Sequence, residues 1–585
     1  MNSLKTFIFK EYYSISPLLL SILINILLFS LFFLFITPGF ETNDDALMMM
    51  FSSGMLTGDP SEYLVQMNIL VGKLLKMLYI QNPAINWYAI LLYAIHFSAM
   101  VTLLYTFLKL QRKFYSITAF TILFVFFELL FLTNIQYTST AFIVGFCGIT
   151  LFLLSLNRSL RNSLLTILVA LILISIATLI RSKVFIGVLM ISVPVLGIKF
   201  IEDRKIQIPI FIFCLLAIYF AAFSYENYFY EKNLGKPNLL KYEQATDYVA
   251  NGPLKIDDEN LNKVNWNRND ITLFQHWFWI DKGVFSKDKV IFIGNTLKTY
   301  RRIQEVGKLF FYEILFKAKR YVFLGLLCLI LIFTLLAKKQ LKYMMFLLIT
   351  LAIVYFGLSF LSRIPHRVAL PLLYFVCIIG FYFVLEYPEK KRISIFKKYY
   401  FVLMLVTLFI FQISKIAVNS EINKVNNKVF QQAVNDISKD KKSLFVTVGP
   451  DFPYESIPIF KSPLSYRPLN ILPTGWPIHT PVYDKILEKF YVQDLLSSLY
   501  EKNNIYILTS GWATPAPYDK VSEQYSVSDL LASSYKKDGY IYDKSNDSFF
   551  NALKIFYKDH YKLNVKFHID KKNFEYIKVV KVTLD

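Results

Sequence analysis

Cysteine is scarce: the 585-residue chain has four, Cys147, Cys214, Cys328 and Cys377, each inside a long apolar run. That placement excludes a disulfide framework and any zinc-type spacing, and reads the four as small buried hydrophobes. Charge is also thin, at 18% of residues, and glycine (20) follows no collagen period, so intrinsic disorder and fibrous folds drop out. There is no glycine-rich phosphate loop, no His-Glu-x-x-His and no Gly-x-Ser-x-Gly. ATP-driven pumping, zinc proteolysis and serine hydrolysis lose their usual supports. The charge that is present is unbalanced, with 63 Lys and Arg against 42 Asp and Glu for a net +21.

What the chain has in abundance is apolar and aromatic surface: 55% hydrophobic residues, 55 Phe, 39 Tyr and a mean hydropathy of +0.43. Apolar runs long enough to cross a bilayer, about 17–25 residues each, lie near 17–37, 85–108, 114–132, 138–156, 163–180, 184–200, 206–223, 321–337, 341–361, 368–385 and 400–416. This predicts about eleven spans, a mainly α polytopic membrane bundle. The first run lacks a small-residue cleavage site and reads as a retained signal anchor. Lys5 and Lys10, Lys109 to Lys113, Arg158 and Arg161, Lys199 to Lys205, Lys338 to Lys342 and Lys390 to Lys398 all fall in alternate connections. Since Lys and Arg are retained in the cytoplasm, the expected topology is N-terminus inside and C-terminus outside. Most of the +21 then marks one membrane side and is no nucleic-acid footprint.

The expected organisation is a first membrane part (1–224) with an acidic first outer loop (38–84), an extracytoplasmic loop domain (225–320), a second membrane part (321–416) and an extracytoplasmic C-terminal domain (417–585). In the last, 443–448, 504–508 and 576–584 read as strands and 484–501 and 548–558 as helices, a small α/β domain. The proline-rich run from Pro450 to Pro481 between its first strand and first helix reads as a folded loop or lid.

Several residues could carry chemistry. Glu41-Thr42-Asn43-Asp44-Asp45 sits just beyond the first span, where carboxylates are costly unless a cation or substrate uses them; one could act as general base towards a sugar hydroxyl. The same triplet Asn43-Asp44-Asp45 equally reads as a cap starting a helix at Ala46. The stretch 62–81 has helical apolar spacing and predicts an interfacial amphipathic helix. On the outer side, Arg363, His366 and Arg367, and secondly Arg181 and Lys183, are candidates for holding a phosphate, although such residues also snorkel to lipid headgroups. Glu128, shallow in the third span, could line a cavity open to the outside or pair with an Arg. His96, near the middle of the second span, reads more simply as a packing residue. His276, Trp277 and Trp279 could form sugar-stacking faces or an interfacial aromatic belt.

The N-in first span, the first outer loop with Asn43-Asp44-Asp45 and an interfacial helix, the many spans and the soluble outer C-terminal domain together resemble the integral-membrane GT-C-type glycosyltransferases. The resemblance covers architecture over most of the chain, and its motif support is one acidic pair and one outer Arg/His cluster. It implies transfer of a sugar from a polyprenyl-phosphate-linked donor to a glycan, lipid or protein acceptor on the outer face. Asp44 or Asp45 would be the acid/base residue and Arg363, His366 and Arg367 the donor-phosphate ligands. It implies a multi-pass protein of the cytoplasmic membrane of bacterial type, with no nucleic-acid partner. No cofactor or metal is required by these residues, although some members of the family use a divalent ion. The competing class is a flippase or exporter of a lipid-linked glycan, or a polysaccharide polymerase. Transport more often shows charged paths or paired repeats, and neither is visible in the sequence.

Overall fold

The computed structural model describes residues 15–234 apart from 158, 256–299, 365–386, 395–449, 452–510 and 546–585 apart from 571–573 and 575–576, with isolated residues in 242–250 and 345–352. Among the described residues, eight helices are long and apolar enough to cross a membrane: α1 Pro17–Phe35, α4 Trp87–Leu110, α5 Lys113–Thr133, α6 Tyr137–Leu156, α7 Leu160–Ile180, α8 Ser182–Asp203, α9 Gln207–Leu234 and α13 His366–Glu386. The expected spans at 321–337 and 341–361 lie outside the described residues. The expected span at 400–416 forms part of α14, Ile395–Lys439.

Burial explains the packing order. α6 is buried along its whole length, whereas α1 and α9 leave most of their apolar surface exposed, as lipid-facing helices do. Gly145 and Gly148 let α6 approach closely: a Cβ at Gly148 would lie 2.8 Å from Ile174 and 3.1 Å from the Ala170 carbonyl of α7. Small residues at such contacts substitute for a hydrophobic drive that lipid does not supply.

The segment after α1 turns back into the bundle end. Gly39–Phe40 (β1) pairs in parallel with Asn134–Ile135 (β2), and α2 (Asn43–Ser53) follows, buried from Asp45 to Ser53. The expected interfacial helix is shorter than its apolar spacing suggested: α3 spans Ile69–Gln81. Asn68 caps it by accepting from Leu70 N, and Val65 takes a left-handed φ of 59°. Residues 62–68 instead fold back on the helix, with Glu62 ion-paired to Lys76 at 2.6 Å and its carbonyl against Gly72, where a Cβ would come within 2.0 Å. Leu70, Leu74, Met77 and Ile80 form an exposed apolar stripe along α3.

The soluble part begins later than expected, because α14 runs unbroken to Lys439, about 68 Å at a rise of roughly 1.5 Å per residue. It feeds a five-stranded sheet in the order β4-β3-β5-β7-β6, with β3 Leu444–Thr447, β4 Ile471–Pro473 and β5 Ile505–Ser510 parallel. β7 (Ile577–Leu584) runs antiparallel between β5 and β6 (Val565–Ile569). Two strands escaped the sequence pattern, β4 and β6. Both lie at sheet edges, where β4 can end in Pro473 without losing a ladder bond. The helical stretch expected at 484–501 is two helices, Pro481–Lys489 and Leu495–Glu501, separated by Tyr491 at φ 55°.

The two polar regions form one unit. The helix Arg268–Gln275 packs on the helix Asn546–Phe556, His560 lies 3.0 Å from Asp270, and the Tyr561 hydroxyl donates to Asp281 at 2.6 Å. Side-chain amides of α14 fasten this unit to the bundle. Asn423 Nδ2 donates to the Thr37 and Thr133 carbonyls and to Asn134 Oδ1. Gln412 Nε2 donates to the Phe126 carbonyl in the π-helical turn Phe124–Glu128, where the helical ladder is locally rearranged. Replacing Asn423 by Leu should cost about 1–3 kcal/mol of stability through the acceptors it leaves unsatisfied. The check is the thermal unfolding midpoint of the purified protein in detergent, compared with an exposed control such as Asn435→Leu.

Candidate active site

The acidic pair occupies the first turn of α2, where the helix N-terminus favours negative charge. Its two members have different surroundings. Asp45 is completely buried, and both oxygens are engaged: Thr42 Oγ1 donates to Oδ2 at 2.6 Å, while the Tyr88 hydroxyl at 2.8 Å and the Tyr137 backbone N–H at 2.9 Å donate to Oδ1. Burial pushes its carboxyl up to about 7 against these lowering hydrogen bonds. Asp45 is therefore a positioning carboxylate, which corrects the expectation that either member of the pair could meet substrate. Asp44 is only partly buried, and its Oδ1 accepts from Trp476 Nε1 of the soluble unit at 3.1 Å.

Two arginines converge on the same place. Arg367, partly buried at the start of α13, lies within electrostatic reach of Glu41, Asp44, Asp45 and Tyr137. The Arg181 guanidinium stands 5.1 Å from the centroid of the Tyr137 ring, and its Nη1 donates to the Gln66 carbonyl at 3.0 Å and to Gln66 Oε1. Tyr137 thus stands among Asp44, Asp45, Arg181 and Arg367. It opens α6 and is buried, and nothing in the sequence separated it from the other 38 tyrosines. His366 faces Glu41 at 3.5 Å. Arg363 lies outside the described residues.

Arg181 also reaches a small neighbouring cleft whose walls include Gln66, Asn68, Lys183, Glu226 and Glu243. Lys183 belongs to this cleft, and Arg181 borders both the cleft and Tyr137 beside the acidic pair. The soluble unit supplies a further group missed in the sequence: the Glu455 N–H donates to Asn43 Oδ1 at 3.3 Å, and burial pushes the Glu455 carboxyl up to about 7.

Four expected site residues belong elsewhere. Glu128 lines no open cavity. It is fully buried, with Oε1 2.6 Å from His96 Nδ1, and its shallow position in the span is closed over by packing. His96 Nε2 lies 2.9 Å from Thr140 Oγ1, whose own hydrogen goes to the Gln136 carbonyl at 2.8 Å. Thr140 therefore accepts from Nε2–H, and a single proton is shared between His96 Nδ1 and Glu128 Oε1. Trp279 is buried and stacked on Phe274 with ring centroids 4.3 Å apart, and His276 is buried against Phe549. Trp277 packs over Gly475, where a Cβ would come 3.2 Å from its ring, and Gly449 sits against the His276 carbonyl. The aromatic run joins the loop segment to the sheet, and its faces are occupied by protein.

Taken together, the site gathers one partly exposed carboxylate and two guanidinium groups around Tyr137, an arrangement suited to removing a proton near a bound anion. Comparison of the chain with protein-family models, with curated proteins and with solved structures finds no match.

The raised Asp45 carboxyl has a consequence for stability. The folded chain holds this proton up to about pH 7, whereas the unfolded chain releases it near the ordinary 3.8. The contribution is therefore fully present below about pH 4 and is lost as pH rises to about 7, at up to about 1.4 kcal/mol per pH unit. Asp45→Asn, whose amide can turn to Thr42 Oγ1 while its oxygen keeps Tyr88 and Tyr137, should fold and should flatten the fall in melting midpoint between pH 5 and 7. An unchanged pH slope in this variant would show that Asp45 is not the group responsible.

Proposed function

We propose that the protein is a membrane glycosyltransferase of GT-C type, which transfers a sugar from a polyprenyl-phosphate-linked donor to a glycan, lipid or protein acceptor. The observation that carries this reading is the convergence of Asp44 with Arg367 and Arg181 around Tyr137 at one end of the bundle, beneath a soluble unit. In this reading the Asp44 carboxylate takes the proton of an acceptor hydroxyl as its oxygen bonds to the anomeric carbon. The bond from that carbon to the donor phosphate breaks, with inversion, and the electron pair leaves on the phosphate oxygen. Arg367 and Arg181 hold the charge developing there. Asp45 keeps the first turn of α2 in place and transfers no proton.

The site is assigned to the outer face of the cytoplasmic membrane. Lys109, Arg112, Lys113, Arg161, Lys199, Arg204 and Lys205 flank the opposite ends of the spans, as the retention of positive charge on the cytoplasmic side requires. No nucleotide is then needed at the site, since the carrier lipid delivers the activated sugar.

Purified Asp44→Asn, with an unchanged melting midpoint, should lose about 10²- to 10⁴-fold in transfer from a polyprenyl-phosphate sugar, and Arg367→Ala should weaken donor use. Wild-type turnover in Asp44→Asn would remove the base assignment. Failure of the wild-type protein in detergent to form any covalent product would favour a flippase or exporter, because transport needs a second compartment and leaves the donor intact.

A further inference from the structure

Three hydrogen bonds join the proline-rich run to α2 and its exit. Glu455 N donates to Asn43 Oδ1 at 3.3 Å, Trp476 Nε1 to Asp44 Oδ1 at 3.1 Å and Leu469 N to the Met55 carbonyl at 3.0 Å. The Trp476 ring also packs on Phe51 of α2, with ring centroids 5.3 Å apart. This seam covers the partly exposed carboxylate of the candidate site, so whatever parts it uncovers Asp44.

One group on the seam is unsuited to carrying charge there. Glu455 lies in the short 3-10 turn Tyr454–Ser456, which packs on α2, on β1 and on α14. Its Oε2 is closed to solvent and has no hydrogen-bond partner among the described residues. The charged groups on the surrounding elements are engaged elsewhere. On α2, Asp45 accepts from Thr42, Tyr88 and Tyr137, and Asp44 accepts from Trp476. Next to β1, Glu41 faces His366, and on the soluble half of α14, Lys424 pairs with Glu421 and Lys439 with Asp436. Among the described residues none of these, nor the exposed Lys428, lies within electrostatic reach of the Glu455 carboxyl. The adjacent Tyr454 hydroxyl is turned to Thr447 Oγ1 at 2.7 Å.

A carboxylate in such a place has lost water without gaining a counter-charge, whereas the neutral acid loses far less. Burial accordingly raises this carboxyl from its ordinary 4.5 to about 7, with only its own backbone N–H opposing. With the seam closed, Glu455 keeps its proton up to about pH 7; with the seam open, it releases it near 4.5. Closure is therefore fully supported below about pH 4.5 and weakens as pH rises to about 7, by up to about tenfold per pH unit in the open-to-closed ratio. Above that range the ratio changes no further.

We propose that Glu455 is a proton latch on this seam: its neutral side chain holds the proline-rich run down over the first turn of α2, and its ionisation favours a parted seam that admits water to Glu455 and uncovers the approach to Asp44. The latch is a control on the site assigned above to glycosyl transfer, and it rests on that reading only for what an uncovered Asp44 does. Parting of the seam needs no substrate.

The experiment is amide hydrogen exchange of the full-length protein in detergent, read by mass spectrometry between about pH 5 and 7, with each rate divided by the intrinsic rate at that pH. Peptides carrying the Glu455 and Leu469 amides should lose protection by at least about tenfold over this range, and at every pH they should exchange faster than peptides of α6. Glu455→Gln should hold the seam's protection within about twofold across the range, and so should Glu455→Leu, which places no amide in the buried position. Asp45→Asn should keep the wild-type fall, because the donors to Asp45 come from the bundle and from Thr42. Seam protection in the wild-type protein that does not change with pH overturns the proposal with no variant needed. A fall that survives both Glu455 substitutions, or that disappears in Asp45→Asn, overturns it as well, as do seam amides that exchange no faster than those of α6, since the whole fold would then be opening. Absence of transferase activity would leave these exchange rates untouched, so the two readings fail separately.

Discussion

The structure of the candidate site depends on one buried carboxylate. Asp45 has no exposed surface, and it takes donors from three different pieces of chain: Thr42 at the entry to α2, the Tyr88 hydroxyl from the first turn of α4 and the backbone N–H of Tyr137 at the start of α6. A carboxylate enclosed this way is costly unless each lone pair is used, and here the three donors use both oxygens. That requirement fixes where α2 enters the bundle. It also places Tyr137, and with it the two arginines that surround it, within reach of the adjacent Asp44.

A second set of bonds, led by side-chain amides, holds the membrane and soluble parts in register. Asn423 ties α14 to the ends of α1 and α5, and Asn86 Nδ2 donates to the Ile459 carbonyl in the proline-rich run at 2.6 Å. Leu469 N donates to the Met55 carbonyl after α2 at 3.0 Å. The run expected as a loop or lid is thus a series of short turns seated on the bundle end, with Phe460 packed against Phe33 and Tyr93. Because Trp476 from the same run donates to Asp44, any opening of this cover would free an Asp44 lone pair at the moment it exposed the site.

Much of this was legible in the residues. Apolar length alone located the eight described spans, because a bilayer-crossing helix must satisfy its backbone internally and so needs an unbroken run. Two adjacent carboxylates in an otherwise apolar loop pointed to α2 for the same energetic reason. What could not be read is anything that depends on which neighbour a side chain meets. Asp44 and Asp45 are indistinguishable in one dimension, yet one is saturated and the other partly open. Tyr137 had no local signature, and Glu128 and His96, 32 positions apart, became partners only through packing. Edge strands β4 and β6 were missed because three to five residues with one covered face carry too little periodicity to register.

The same limit explains the role of charge. On the topology expected from the sequence the net +21 is mostly a property of one membrane side, and it says little about the site. Within the bundle the charges meet near neighbours, Glu128 with His96 and Lys199 with Glu386 at 3.5 Å, and at the candidate site Asp44 and Glu41 lie within electrostatic reach of Arg367. In a medium where an isolated charge costs several kcal/mol, each buried charge has to be met by a near neighbour, since distant charges elsewhere in the chain cannot compensate it. The sign and size of the chain's total charge therefore say little about ligand preference, which follows from whichever local cluster a ligand must enter.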